Sequence, residues 1–181
     1  MQIPKAITEE VILWESKYGG RRAFNQKFEF PDGQIRDLEL VGANSSPVII
    51  FAVTTDRNVI TINQFRFAAN RVIRELPGGN AKEGQTPKDV ARAELLEETG
   101  YEACKILTLG TEMWFDPASW RASATFVLAI DCKKVAEQKL DATESIEIDV
   151  MPLSKWLGEI KDGCITDMKS IAITLMAMPY L

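Results

Sequence analysis

Gly78-Gly79-Asn80-Ala81-Lys82-Glu83-Gly84-Gln85-Thr86-Pro87-Lys88-Asp89-Val90-Ala91-Arg92-Ala93-Glu94-Leu95-Leu96-Glu97-Glu98-Thr99-Gly100-Tyr101 is the stretch that decides the fold. It reads as a loop, a capped helix and a glycine stop. The Thr86 hydroxyl is placed to cap the helix, Pro87 suits the first helical position, and Asp89 sets a carboxylate where the helix dipole is positive. Gly100 ends the helix. At about 100° per residue, Glu94, Glu97 and Glu98 fall within an arc of roughly 100°. Three carboxylates so close repel, and taken alone they read as a solvated acidic face. The double glycine ahead of them changes that reading, because it lets the backbone turn tightly and present a carbonyl as a further oxygen ligand. A hard divalent ion is the partner such a set of oxygens accepts.

The spacing of Gly79, Glu94, Leu95, Glu97, Glu98, Gly100 and Tyr101 resembles the Nudix box, G-x5-E-x7-R-E-U-x-E-E-x-G-U, with U a bulky apolar residue. Glu75-Leu76-Pro77-Gly78-Gly79 is similar to the lead-in of that family. Gln85 stands where the box has Glu, and Ala93 where it has Arg. In the family those two generally brace each other, so their joint loss leaves no unpaired charge. Arg92 is one position off, about 100° round the helix, and does not replace the arginine. The resemblance implies a Nudix α/β/α sandwich with a mixed sheet, in the branch of ADP-ribose pyrophosphatases and nucleoside diphosphate sugar hydrolases. It also implies magnesium or manganese held by Glu94, Glu97, Glu98 and the carbonyl of Gly78.

The chain as a whole is consistent with one compact domain carrying a small addition: it has 181 residues and a net charge of -5. That charge and the lack of a basic run argue against a nucleic-acid partner, and the expected partner is a small molecule. Cys104, Cys132 and Cys164 are odd in number and lack metal-site spacing, which suggests buried thiols in a reducing compartment. There is no histidine, so acid–base work falls to carboxylates, lysines or a metal. No stretch has the length of a membrane span and none reads as a signal peptide, so the expected location is the cytoplasm.

Residues 7 to 41 read as a small β unit, in which Val11 to Trp14 is apolar, Phe24, Phe28 and Phe30 share strand parity, and Pro31-Asp32-Gly33 signals a turn. The turn-prone Gly42 to Pro47 marks the boundary between an antiparallel N-terminal β subdomain, 1–46, and a second domain, 47–181. Phe28-Glu29-Phe30-Pro31-Asp32-Gly33 resembles the N-terminal extension of ADP-ribose pyrophosphatases. There the extension is exchanged within a dimer and helps to build the substrate site, which implies a homodimer and a binding role for Phe28.

Val48 to Val53 reads as a buried strand, turned by Asp56-Arg57-Asn58 into Val59 to Arg66. Gln64-Phe65-Arg66 resembles the Gln-Tyr-Arg that precedes the box in the sugar-hydrolase branch, and a guanidinium there suits a diphosphate. Arg66 and Arg71 are the candidate diphosphate ligands, with Arg74 read as a surface charge. Two more strands, Cys104 to Leu109 and Ala122 to Ile130, flank an aromatic loop, Trp114 to Arg121. Its Pro117 lies sixteen residues beyond Tyr101, where the ADP-ribose branch tends to carry proline. Trp120-Arg121 replaces the acidic pair that often follows. Glu144 aligns with the loop glutamate placed to activate water in that branch, with Glu147 its near rival, and Glu97 is a second catalytic candidate. A capped helix from about Asp167 to Met178 closes the chain.

These features point to metal-dependent cleavage of a nucleoside diphosphate sugar. A nucleotide-sensing module without hydrolysis, and a nucleoside triphosphate pyrophosphohydrolase, are the alternatives the same box allows.

Overall fold

The computed structural model describes residues 1–17, 20–141 and 144–181. They divide into two compact units: Met1–Ser46 with Trp114–Ser123, and Pro47–Met113 with Ala124–Leu181.

The first unit is built on β1 (Lys5–Ala6), β2 (Val11–Glu15), β3 (Arg21–Glu29) and β4 (Ile35–Ala43). β3 and β4 form an antiparallel hairpin in continuous register from Arg21 opposite Ala43 to Glu29 opposite Ile35. Gly33, at φ 77°, closes its turn and donates its N–H to the Phe30 carbonyl at 2.9 Å. β1 and β2 both pair with β3. Phe24 is the fully buried centre, with the guanidiniums of Arg22 and Arg121 lying 5.4 and 4.8 Å from its ring centroid. Both arginines pair with Glu10.

The second unit adds β5 (Pro47–Thr54), β6 (Asn58–Arg66), β7 (Arg71–Glu75), β8 (Gly78–Asn80), α1 (Pro87–Thr99), β9 (Tyr101–Glu102), β10 (Lys105–Asp116), β11 (Trp120–Lys134), β12 (Ile146–Pro152), α2 (Leu153–Lys161) and α3 (Met168–Ala177). Its central strands run β11-β5-β6-β12, with β11 parallel to β5 and the other neighbours antiparallel, a mixed sheet. β7 pairs with β6 and β8 with β5. β5 is buried along both faces, as its unbroken apolar run predicts. On one face Val48, Ile50 and Ala52 pack with Val90, Ala91 and Leu95 of α1. α3 also packs on β5 and buries Ile173 and Ala177, which completes an α/β/α sandwich.

Three expectations change. The aromatic stretch Trp114 to Arg121 is mostly strand: only Pro117, Ala118 and Ser119 turn, with the Asp116 carboxylate accepting the Ala118 N–H at 3.1 Å. Tryptophan and phenylalanine favour strands, and an Asp-initiated turn needs no long loop. Trp120 and Arg121 then pair parallel with Val41 and Gly42, so this segment belongs with residues 1–46 rather than with the rest of 47–181. Of the three free cysteines only Cys132 is buried, its thiol pushed up to about 12 by burial, while Cys104 and Cys164 are exposed. Among the described residues no helix is long and apolar enough to cross a membrane.

Candidate active site

α1 forms where its sequence signals place it. Thr86 accepts the Asp89 N–H and Asp89 accepts the Thr86 N–H at 3.0 Å, a reciprocal capping box, and Gly100 closes the helix at φ 72°. Gly78 and Gly79 do not make a tight turn. They lie in β8 opposite Ile49 and Val48, and the positive φ of the loop falls instead at Gly84, 79°. Their role is close approach. A Cβ on Gly78 would come within 2.2 Å of the Val48 carbonyl, and one on Gly79 within 2.1 Å of Glu94 Oε1. The helix reaches this strand through two carboxylates, Glu94 against Gly79 and Glu98 on the Gly78 N–H.

Glu98 is the electrostatic centre of this contact. It is buried at 4 % exposure and its Oε2 accepts the Gly78 N–H at 2.9 Å. Burial raises its pKa to about 8; the Gly78 N–H and Arg66 pull it down, and the charges of Glu94 and Glu144 push it up. Glu94 is raised as well, by burial first and then by Glu97 and Glu144. Glu97 itself is exposed. Glu94, Glu97, Glu98 and Glu144 thus share one field. Among the described residues no three such side chains stand as a ready-made metal cage. The donor chemistry nonetheless fits a hard divalent ion: every candidate ligand is an oxygen, and mutual repulsion at a buried site is what a dication relieves.

Glu144 is half-buried, with Oε2 accepting the Asp141 N–H at 3.1 Å. Glu147 lies exposed in β12 opposite Asn63. Arg66 donates from Nε to Oε1 of the buried Glu75 at 2.6 Å, and its charge is felt at Glu98. Arg71 is exposed and reaches the Thr166 hydroxyl at 3.3 Å. Arg74 is more than a surface charge, because it bridges Asp149 at 3.1 Å and Glu159 at 2.6 Å. In the first unit, Phe28 and Pro117 come together in one cleft of about 260 Å³, with Leu38, Leu40, Trp114 and Trp120 among its lining. Gln85 Oε1 accepts the Lys82 N–H at 2.8 Å, tying the loop to itself where the box pattern has a charged brace.

Sequence reasoning missed Glu75 as the partner of Arg66, although it stands in the quoted lead-in. It also passed over Gln138, whose amide binds main-chain carbonyls that no side-chain pattern marks.

A NUDIX domain family model matches residues 45–164. An ADP-ribose pyrophosphatase of Bacillus subtilis (strain 168) is 30% identical over 180 residues, covering 98% of this chain and 94% of the relative. A methanol dehydrogenase activator of Bacillus methanolicus is 29% identical over 182 residues, with the same coverage of 98% and 94%. The crystal structure of an ADP compounds hydrolase superposes with a TM-score of 0.80 at 19% identity, covering 98% of this chain and 96% of that one, and so shares the fold.

Proposed function

The chain belongs to the Nudix family of pyrophosphatases, and from that premise we propose that it hydrolyses a nucleoside diphosphate sugar, with ADP-ribose the first candidate, to a nucleoside monophosphate and a sugar phosphate. The observation that carries this reading is the buried Glu98, held on the Gly78 N–H and pressed by the charges of Glu94 and Glu144.

Glu94, Glu97 and Glu98, with the Gly78 carbonyl, would hold magnesium or manganese. When bound, the cation neutralises pyrophosphate oxygens and makes water more acidic. Arg66 is braced by Glu75 and leaves its guanidinium half exposed, suited to a diphosphate oxygen, and Arg71 adds a second positive charge. Glu144 takes the proton as the water oxygen bonds to phosphorus and the bridging P–O bond breaks, releasing the second phosphate. Glu144 is preferred to Glu147 because its charge is felt at both Glu94 and Glu98. The cleft at Phe28 and Pro117 offers apolar and aromatic walls to a base or sugar.

The active form proposed is a cytoplasmic homodimer that exchanges residues 1–46. Val11, Ile12, Leu13 and Trp14 are each about half exposed along β2, an apolar strand whose side chains alternate between its two sides and that a second copy would cover. Light scattering of the wild type against Trp14→Lys tests this: a dimer that the variant breaks is expected.

A coupled phosphate-release screen over diphosphate sugars, dinucleotides and triphosphates, with magnesium and with manganese, tests the activity. ADP-ribose or a related diphosphate sugar should be cleaved and triphosphates spared. Preferential triphosphate cleavage, or silence on every compound, would overturn the substrate assignment.

A further inference from the structure

The last turn of α1 carries no basic residue, and its carbonyls are taken instead by the segment Lys134 to Lys139. Val135 and Ala136 donate their N–H groups to the Gly100 carbonyl at 2.9 and 3.1 Å, and Lys139 donates its backbone N–H to the Glu97 carbonyl at 2.9 Å. Lys134 Nζ reaches the Thr99 carbonyl at 3.2 Å. Gln138 differs from these. Its Nε2 donates to the Glu98 carbonyl at 2.6 Å and also to the Ile146 carbonyl at 3.3 Å. One amide therefore joins the backbone of the helix that carries Glu94 and Glu98 to the first residue of β12, two positions beyond Glu144.

We propose that Gln138 is a positioning residue that fixes Glu144 at its working distance from the α1 carboxylates. The amide suits this role because one nitrogen carries two N–H donors that diverge to two acceptors. Glutamate at 138 would set acceptor against acceptor, and leucine, which ends one bond short of the amide nitrogen, has no donor. Glu144 is otherwise held by its own loop, through its N–H to the Asp141 carbonyl at 2.9 Å and its Oε2 to the Asp141 N–H. Those bonds shape the loop, and the pairing of Ile146 with Gln64 sets β12 against β6, whereas the Gln138 amide ties the start of β12 to α1. The proposal rests on Glu144 as the proton acceptor.

The test uses the full chain with ADP-ribose and magnesium, comparing Gln138→Leu, Glu144→Gln and the double variant, together with hydrogen exchange at residues 144–148. Gln138→Leu should lower kcat about ten- to hundredfold at nearly constant KM, as a misplaced catalytic group does. Its amides at 144–148 should exchange faster while those of β5 keep wild-type protection. In the double variant the Gln138 change should add less than about twofold to the loss from Glu144→Gln alone. Wild-type exchange in Gln138→Leu, or losses that multiply in the double variant, would overturn the proposal. If Glu144→Gln alone keeps the full rate, the role of Glu144 falls, and the exchange result by itself decides whether Gln138 holds that segment.

Discussion

Glu94 lies so close over Gly79 that a Cβ on the glycine would fall 2.1 Å from its Oε1, whereas a Cβ on Gly78 would meet the Val48 carbonyl at 2.2 Å. The two neighbours should therefore fail differently when replaced. In Gly79→Ala the obstacle is the end of a flexible side chain, which can swing away. The expected outcome is a loss of about a hundredfold in kcat/KM with little change in melting temperature. In Gly78→Ala the obstacle is backbone in β5, so destabilisation of about 3 kcal/mol or more is expected. Thermal melts beside initial rates separate the cases, and equal stability of the two variants would refute the distinction.

Glu98 predicts how the metal-free protein responds to pH. Its folded pKa of about 8 lies above the ordinary 4.5, so between these values the folded state binds more protons than the unfolded one. Stability from this group is full below about pH 4.5 and is lost as pH rises through 8. Urea unfolding with chelator present should show the unfolding free energy falling across that window, by about a few kcal/mol in all. Glu98→Gln should flatten the slope and cut turnover together. Added magnesium should restore stability to the wild type at pH 8 far more than to the variant.

Arg66 is the main compensation for Glu75, which is 3 % exposed and whose pKa burial raises in spite of the arginine. Removing the guanidinium leaves a buried carboxylate to ionise alone. Arg66→Ala should cost about 1–3 kcal/mol at pH 8. Because the folded pKa of Glu75 lies above 4.5, and higher still without Arg66, the cost should shrink as pH falls towards 5 and the carboxyl takes up its proton. Adding Glu75→Gln should remove most of that pH dependence, leaving the weaker field of Arg66 at Glu98. A loss that is equal at both pH values would show that Glu75 is not the cause.

Much of the site was legible because its signals are local. Thr86, Pro87, Asp89 and Gly100 define α1 by capping chemistry alone, and the helical period places Glu94 and Glu98 together. Residues 78 and 79 were legible as essential glycines, though for the wrong reason, since what forbids a Cβ is atoms of Val48 and Glu94 that a linear reading cannot bring near. Arg66 with Glu75, and Gln138 with the Glu98 and Ile146 carbonyls, are long-range pairs of the same kind. β10 and β11 were legible in part, but their extension through Trp114, Phe115 and Trp120 up to a three-residue turn was not, because aromatic residues serve strand and loop equally well in sequence.

Glu97 and Glu98 are chain neighbours, and the structure sets them apart: Glu97 is exposed on α1, while Glu98 is buried against β8. A carboxylate in water is screened and easily replaced by solvent, whereas one out of water acts at low dielectric. Glu98→Gln should therefore cut kcat by about a hundredfold or more, and Glu97→Gln by only about tenfold. The loss in Glu97→Gln should shrink at higher magnesium, because its charge contributes mainly to the field at Glu94. Magnesium titrations of both variants check the order. Equal losses would mean that Glu97 turns inward when the ion binds.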